Sequence, residues 1–231
     1  MPFVKLVLAL WYPDTDALLA PALRDSLAAV GVTRLQVNLD DEHIPDSVLR
    51  LQAFEEPLTC VVSIWTEGHA AEAVGVLRPL AQRVAAWQVE ERVPLAPPDP
   101  PPGQSVDGER LDGLAQVAFL RRPEELAYDD WLAHWQGPHT QIAMDTQATF
   151  GYVQNRVTDT LTEGTPGIAA IVEELFPPEA MHDIHAFYGS DGSEEELGRR
   201  MTVLMESVAT MGADHDLDVV ATSRYVFELN G

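Results

Sequence analysis

The sequence predicts an α+β protein in which two tandem βαββαβ modules join their sheets into one intramolecular α/β barrel, a pseudo-dimer within a single chain. Three observations predict it. Segments with strand-like and helix-like patterning follow the order βαββαβ twice. Six of the 17 prolines fall between Pro94 and Pro102 and separate the two runs. At 231 residues, 46% of them hydrophobic, the chain can form two packed halves of about a hundred residues each.

In the first half, FVKLVLALW reads as a strand. PDTDALLAPALRDSLAAVG follows as a helix, with Leu19, Leu23, Leu27 and Val30 on one face and Gly31 at its end. VTRLQVNL is a half-buried strand whose Leu35, Val37 and Leu39 recur at period two. LTCVVSIW, rich in β-branched residues, is the third strand. HAAEAVGVLRPLAQRVAAW presents Val74, Leu77, Leu80 and Val84 at helical spacing, with a kink expected at Pro79. WQVEERVPL closes the half as a strand. RVPLAPPDPPPGQSVDGERLDG reads as a semi-rigid linker, because clustered prolines favour extended geometry and cannot join a sheet interior. The expected organisation is an N-terminal module over 1–95, a linker over 96–112 and a C-terminal module over 113–231.

The second half repeats the order. LAQVAFLRR is a strand, YDDWLAHW starts a helix, and GYVQNRVT and GIAAIVEEL are strands. SEEELGRRMTVLMESVATMG carries the strongest helix signal: Ser193 and Glu196 form a capping box, and Leu197, Met201, Leu204, Val208 and Met211 make one apolar stripe. DVVATSRYVFEL is the last strand. FPPEAMHDIHAFYGSDG fits the pattern least and leaves room for a short extra helix. Each βαββαβ unit is of the ferredoxin-like type, a four-stranded antiparallel sheet with two helices on one face. If the two bare faces meet, they close a barrel with helices outside and a cavity within, and the linker makes this intramolecular.

The formal net charge is -23, from 37 acidic and 14 basic residues, so a phosphate backbone would be repelled. Nucleic acid and anionic membrane surfaces are therefore excluded as expected partners. Cys60 is the one cysteine and lies in an apolar run, which suits a buried thiol in a reducing compartment. The apolar N-terminal run is followed by acidic turn residues rather than a cleavage site, and no stretch approaches the roughly 20 apolar residues of a membrane span. The expected location is the cytoplasm.

YDDWLAHWQGPHTQIA holds the chemistry. His134 and His139 are spaced i, i+5, which on an intact helix turns their rings well apart. Gly137-Pro138 can change that angle, since Pro138 cannot donate to the carbonyl of His134 and pushes Gly137 out of helical geometry. No further ligand completes a metal spacing, so no metal is expected. As an acid or base, a histidine freed by the bend can face a cavity and move a proton. The competing reading of His139 is a cap on a backbone carbonyl at the bend, and His134, between Trp131 and Trp135, reads more simply as packing. Trp131 and Trp135 share a face at i, i+4 and read first as core. Asp129 and Asp130 suit the start of a helix. Glu173-Glu174 and Glu194 to Glu196 read as solvated charges, while His182 and His185 stay unassigned. No phosphate loop, nucleophile elbow, CxxC or HExxH is present, which removes most nucleotide-dependent and hydrolase chemistries.

At these residues the sequence resembles the EthD family of the dimeric α/β-barrel superfamily. The likeness lies in LAQVAFLRRPEELAYDDWLAHWQGPHTQIA followed by GYVQNRV: a strand ending in Arg-Arg, an aromatic-x-x-x-Trp helix, a histidine shortly after, and a Gly-Tyr-x-Gln-Asn strand. It covers residues 114 to roughly 175 well, ATSRYVFEL loosely, and the first half by element order. The resemblance implies a shared barrel and relatives that bind small hydrophobic or aromatic molecules, among them polyketide cyclases, dehydratases and decarboxylases acting without metal or nucleotide. It matches His139 to the family's histidine, Trp135 to its tryptophan, and Tyr152, Gln154 and Asn155 to the strand lining the cavity. Where the family has Asp-Gly-Ile-Ala-Glu, this chain has Pro166, Gly167, Ile168, Ala169 and Ala170, so both carboxylates are missing. The first half has no counterpart of the His/Trp motif, which implies one site per chain.

The leading expectation is a cofactor-independent enzyme, a lyase or isomerase, acting on a small hydrophobic, oxygenated metabolite by proton transfer that leads to dehydration, cyclisation or decarboxylation. His139 serves as general base or acid, with His134 as the second catalytic candidate. Tyr152 and Asn155 hydrogen-bond a substrate oxygen, Gln154 lines the cavity, and Phe119 and Trp135 form apolar wall. A non-catalytic binding protein would use the same cavity without a titrating group. A haem-binding protein would use a histidine on iron. Beyond the small molecule, the further partner considered is a second copy of the chain, in a homodimer.

Overall fold

The computed structural model describes residues 3–46, 48–97 and 107–229. In the first half, β1 (Val4–Pro13), β2 (Val32–Leu39), β3 (Cys60–Thr66) and β4 (Ala81–Leu95) pair antiparallel in the order β4-β1-β3-β2. Helices α1 (Thr15–Leu19) and α2 (Pro21–Ala29) follow β1, and α3 (Ala70–Leu77) follows β3. The second half gives the same order, β8-β5-β7-β6, from β5 (Leu114–Leu120), β6 (Gly151–Thr160), β7 (Ala170–Phe176) and β8 (Asp218–Glu228). Its helices are α4 (Tyr128–His134), α5 (Thr140–Thr146), α6 (Ile184–Tyr188) and α7 (Glu194–Thr210).

Two seams join the halves. β2 pairs with β8 from Arg34↔Glu228 to Leu39↔Ser223, and β4 pairs with β6 from Trp87↔Thr160 to Leu95↔Tyr152. The eight strands thereby close into one barrel, the pseudo-dimer of ferredoxin-like modules that the repeated element order predicts.

Two helix expectations need correction. The helix predicted over PDTDALLAPALRDSLAAVG is broken: Ala20 is extended because Pro21 follows it, and Pro21 then opens α2. The helix predicted through Val84 ends at Leu77, after which Pro79 sits in a tight turn. From Ala81 the chain is already strand, paired with β1 from Pro13↔Ala81 onward. Strand pairing decides there over a helical spacing of apolar residues. Of the expected linker, residues 98–106, including Pro98, Pro100, Pro101 and Pro102, lie outside the described residues. From Gly108 the chain runs along β8, with the Gly108 amide donating to the Val226 carbonyl at 2.7 Å and the Leu111 amide to the Arg224 carbonyl at 2.9 Å.

Strand alternation divides the core into layers. Outside the barrel in the first half, Leu6, Leu8, Leu10, Val62 and Ile64 pack under Leu18, Leu23, Leu27 and Leu77 of the helices. In the second half, Leu120, Tyr152 and Val172 lie under Trp131, Trp135, Leu197 and Leu204. Inside, residues of both halves meet: Val7, Trp11 and Trp87 pack with Val117, Phe119, Ile171 and Val220. The rings of Trp11, Phe54, Phe119 and Trp87 follow one another at centroid distances of 5.3, 5.4 and 5.7 Å. Farther along the interior the contacts become ionic. Lys5 Nζ reaches Glu91 at 2.5 Å, and Glu173 accepts from Arg224 Nε at 2.9 Å and Gln36 Nε2 at 2.8 Å. Burial alone would raise the Glu173 carboxyl, but Arg224 and Lys5 hold it below its ordinary value. These parts of the interior are occupied by packed and ion-paired side chains.

Candidate active site

The site begins at the break in YDDWLAHWQGPHTQIA. Between α4 and α5, residues Trp135–His139 form a π turn, with Gly137 at φ −103°, ψ −105° and Pro138 inside it. The wider turn changes the direction of everything after it. His134 and His139, which an α-helix would separate, come to a ring distance of 6.4 Å and both reach Ser207 of α7. The carbonyls freed by the bend are satisfied from outside the helix: Trp135 O accepts from Thr140 Oγ1 at 2.9 Å and Gln154 Nε2 at 3.4 Å, and Gln136 O accepts from Arg92 at 2.5 Å.

The histidine contacts fix proton positions. His134 Nε2 lies 3.2 Å from the Ser207 carbonyl, which can only accept, so the His134 proton is on Nε2. Its second contact, with Ser207 Oγ at 3.2 Å, leaves that hydroxyl free to donate to His139 Nδ1 at 3.0 Å. His139, 8% exposed, is pushed down to about 4 by burial and by His134, so at neutral pH it is uncharged with its proton on Nε2. That nitrogen makes no hydrogen bond among the described residues, and His139 forms part of a pocket wall.

The pocket, about 190 Å³, lies between the outer face of the second-half sheet and helices α5, α6 and α7. Its floor includes a polar row across three strands: Tyr152 of β6 stands opposite Glu174 of β7, which stands opposite Gln116 of β5. Around them are Ala118, Leu120, Val172, Leu204 and Met211. These apolar walls desolvate the Glu174 carboxyl and raise it to about 7. Burial, with the Glu174 charge adding to it, raises the Tyr152 phenol, which therefore stays protonated and can donate. Gln116 Nε2 donates to the Leu49 carbonyl at 3.3 Å and so positions a segment from the first half at the pocket edge. That segment, residues 40–59 between β2 and β3, is pinned to β8 by Ser223 and Tyr225 donating to Asp41, by paired Leu51 and Val219 backbones, and by the Ala53 and Phe54 amides donating to Asp218.

Of the residues singled out from sequence, the structure brings His139 and Tyr152 to this pocket. His134 lies behind His139, hydrogen-bonded to the same serine. Trp135 stacks on Trp131 at 5.4 Å in the helix–sheet core. Gln154 faces the helices but holds the bend, accepting from Arg92 and donating to Thr140. Phe119 and Asn155 point the other way, into the barrel, because each lies an odd number of residues from the pocket-facing positions of its strand. The pocket that His139 and Tyr152 share lies on the helix side of one sheet, whereas the sequence predicts their cavity between the two sheets. Glu173 and Glu174, read as solvated, are an ion-paired interior residue and a pocket residue. Ala170 and Glu174 have the same strand parity and so lie on one face of β7.

Among the described residues no three His, Cys, Asp or Glu side chains cluster as a metal site. Among the described residues the pocket wall holds no Lys or Arg to meet the propionates of a haem, so its donor set does not suit that group. Among the described residues no helix is long and apolar enough to cross a membrane.

An antiparallel eight-stranded barrel with helices outside and a pocket under the helices defines a protein of the dimeric α/β-barrel fold, here completed by one chain. No family model and no curated protein matches the sequence. Among solved structures, the chain is similar to a "putative monooxygenase" from Lactobacillus acidophilus NCFM, at 10% identity and a TM-score of 0.52, covering 100% of this chain and 98% of that one. It is likewise similar to an anthrone oxidase-like protein, at 13% identity and a TM-score of 0.51, with coverage of 100% and 98%.

Proposed function

We propose that the pocket takes a small, largely apolar, oxygenated molecule and moves a proton to or from one of its carbon atoms, with Glu174 as the general base or acid. The observation that carries this is a carboxyl poised at about 7 in an apolar pocket, where a general base is most effective near neutral pH. Tyr152 and the Nε2–H of His139 are the donors to the substrate oxygen on which enolate charge develops. His134 is a positioning residue, acting through Ser207. Dehydration, cyclisation and decarboxylation all contain such a step; the similar solved structures carry the names putative monooxygenase and anthrone oxidase-like protein. The assignment to the EthD family belongs to the same proposal and rests on the motif over residues 114–175 with Glu174 in place of the family's missing acids.

The test is hydrogen exchange at carbon. Anthrone and 2-tetralone, two carbon acids with a ketone oxygen, are incubated with the protein in deuterated water and followed by NMR. Exchange that rises through about pH 7 and disappears in Glu174→Gln supports the reading. Probes that bind yet exchange at the background rate would show a binding protein instead.

A further inference from the structure

A second cavity, about 420 Å³, adjoins the first. Leu49, Gln116, Phe187 and Tyr188 belong to the walls of both, so they form the partition between two chambers. Beyond it lie Met181, His182, Ile184 and Met201. Leu49 comes from the first half: its carbonyl is held by Gln116, while its side chain stays 53% exposed. It is not alone. Leu51, Ile184 and Met205 are also exposed by 42%, 51% and 47%, and each lines one of the two chambers. Large apolar side chains gathered at a cavity mouth mark a surface that another apolar group covers. Among the described residues neither chamber is lined by Lys or Arg, whereas Glu174, Asp214 and Asp183 are present, so an anionic ligand is disfavoured.

We propose that the two chambers form one channel for an elongated, uncharged, largely apolar molecule, with a hydrogen-bonding oxygen at Tyr152 and His139 and its far end past Leu49. The first half of the chain, which carries no proton-transfer group of its own here, thereby sets ligand length through Leu49. The proposal rests on the pocket reading above and extends it. Its chemical basis is simple: a tail that crosses the partition covers Leu49 and Ile184 and gains hydrophobic contact that a short ligand cannot reach, each buried methylene strengthening binding by roughly fourfold.

Binding of 4-ethylphenol, 4-butylphenol and 4-octylphenol by equilibrium dialysis tests it. In the unaltered protein affinity should rise by more than about a hundredfold from ethyl to octyl. Leu49→Trp closes the partition and is read by the butyl-to-octyl ratio alone, whereas Ile184→Asp charges the second chamber at an exposed side chain outside the first pocket and should leave 4-ethylphenol binding intact. Each should reduce the gain from butyl to octyl to no more than about threefold. A gain that survives in both variants overturns the channel, as does equal binding of ethyl and octyl compounds. If 4-ethylphenol itself fails to bind, the pocket reading falls as well; if it binds without a length effect, the channel alone falls. Octanoate should bind much more weakly than 4-octylphenol at pH 8, and comparable binding would overturn the uncharged head.

Discussion

Tyr152 and Glu174 face each other across neighbouring antiparallel strands, and both open into the pocket beneath α5, α6 and α7. Their pairing puts a titrating acid beside a hydroxyl that stays protonated, the arrangement needed to remove a proton while stabilising the charge it leaves.

Glu174→Gln should lower carbon-proton exchange by about 10²–10⁴-fold while keeping probe binding. It should also change how stability depends on pH. A carboxyl raised from 4.5 to about 7 favours the folded state while protonated, so its contribution is lost as pH rises through that range. Urea midpoints at pH 5 and pH 8 should therefore differ less in the variant than in the unaltered protein. An identical pH dependence would remove the case for a desolvated acid.

His139 should act with the opposite sign. Its folded value of about 4 lies below the ordinary 6.5, so its contribution is present above pH 6.5 and lost as pH falls toward 4. In His139→Asn the loss of stability over that window should shrink by at most about 3 kcal/mol, the equivalent of the shift. Direct titration by NMR of the imidazole checks the same point, and a value near 6.5 would contradict the buried, neutral ring.

Arg224→Met should destabilise the protein by about 3 kcal/mol, because it leaves Glu173 buried with weaker compensation inside the barrel. Adding Glu173→Gln should recover most of that loss, and urea denaturation of the two singles and the double gives the coupling. Independent, additive losses would mean the pair does not act as a unit.

Gln154→Leu should cost about 0.5–1.5 kcal/mol per hydrogen bond lost, those from Arg92 and to Thr140, each of which keeps its other partner at the bend. Binding of 4-ethylphenol should change by less than about threefold, since Gln154 supports the π turn rather than the ligand. Selective loss of binding without loss of stability would return Gln154 to the ligand's own contacts.

Much of this architecture could be read from local pattern. Leu35, Val37 and Leu39 alternate because β2 buries its apolar face against helices, and Ser193 caps α7 by accepting from the Glu196 amide as the box predicts. The start of β4 could not, because Val84 continues the helical spacing of Val74 and Leu77, and only its pairing with β1 makes it strand. The Gly137-Pro138 pair pointed to His139. The pocket acid was hidden because β7 is covered on both faces, so alternation no longer separates inside from outside. For the same reason Gln154 and Asn155, adjacent in sequence, went to different layers: the bend and the barrel interior.

The two seams have a consequence for how such a protein can change. In a symmetric pair of identical chains every substitution is made twice, once on each side of the barrel, and both copies must tolerate it. Here β2 meets β8 and β4 meets β6, so the matching surfaces are encoded separately. A residue such as Leu49 can drift without altering any counterpart, which gives the fused chain a freedom to specialise that its two-chain equivalents lack.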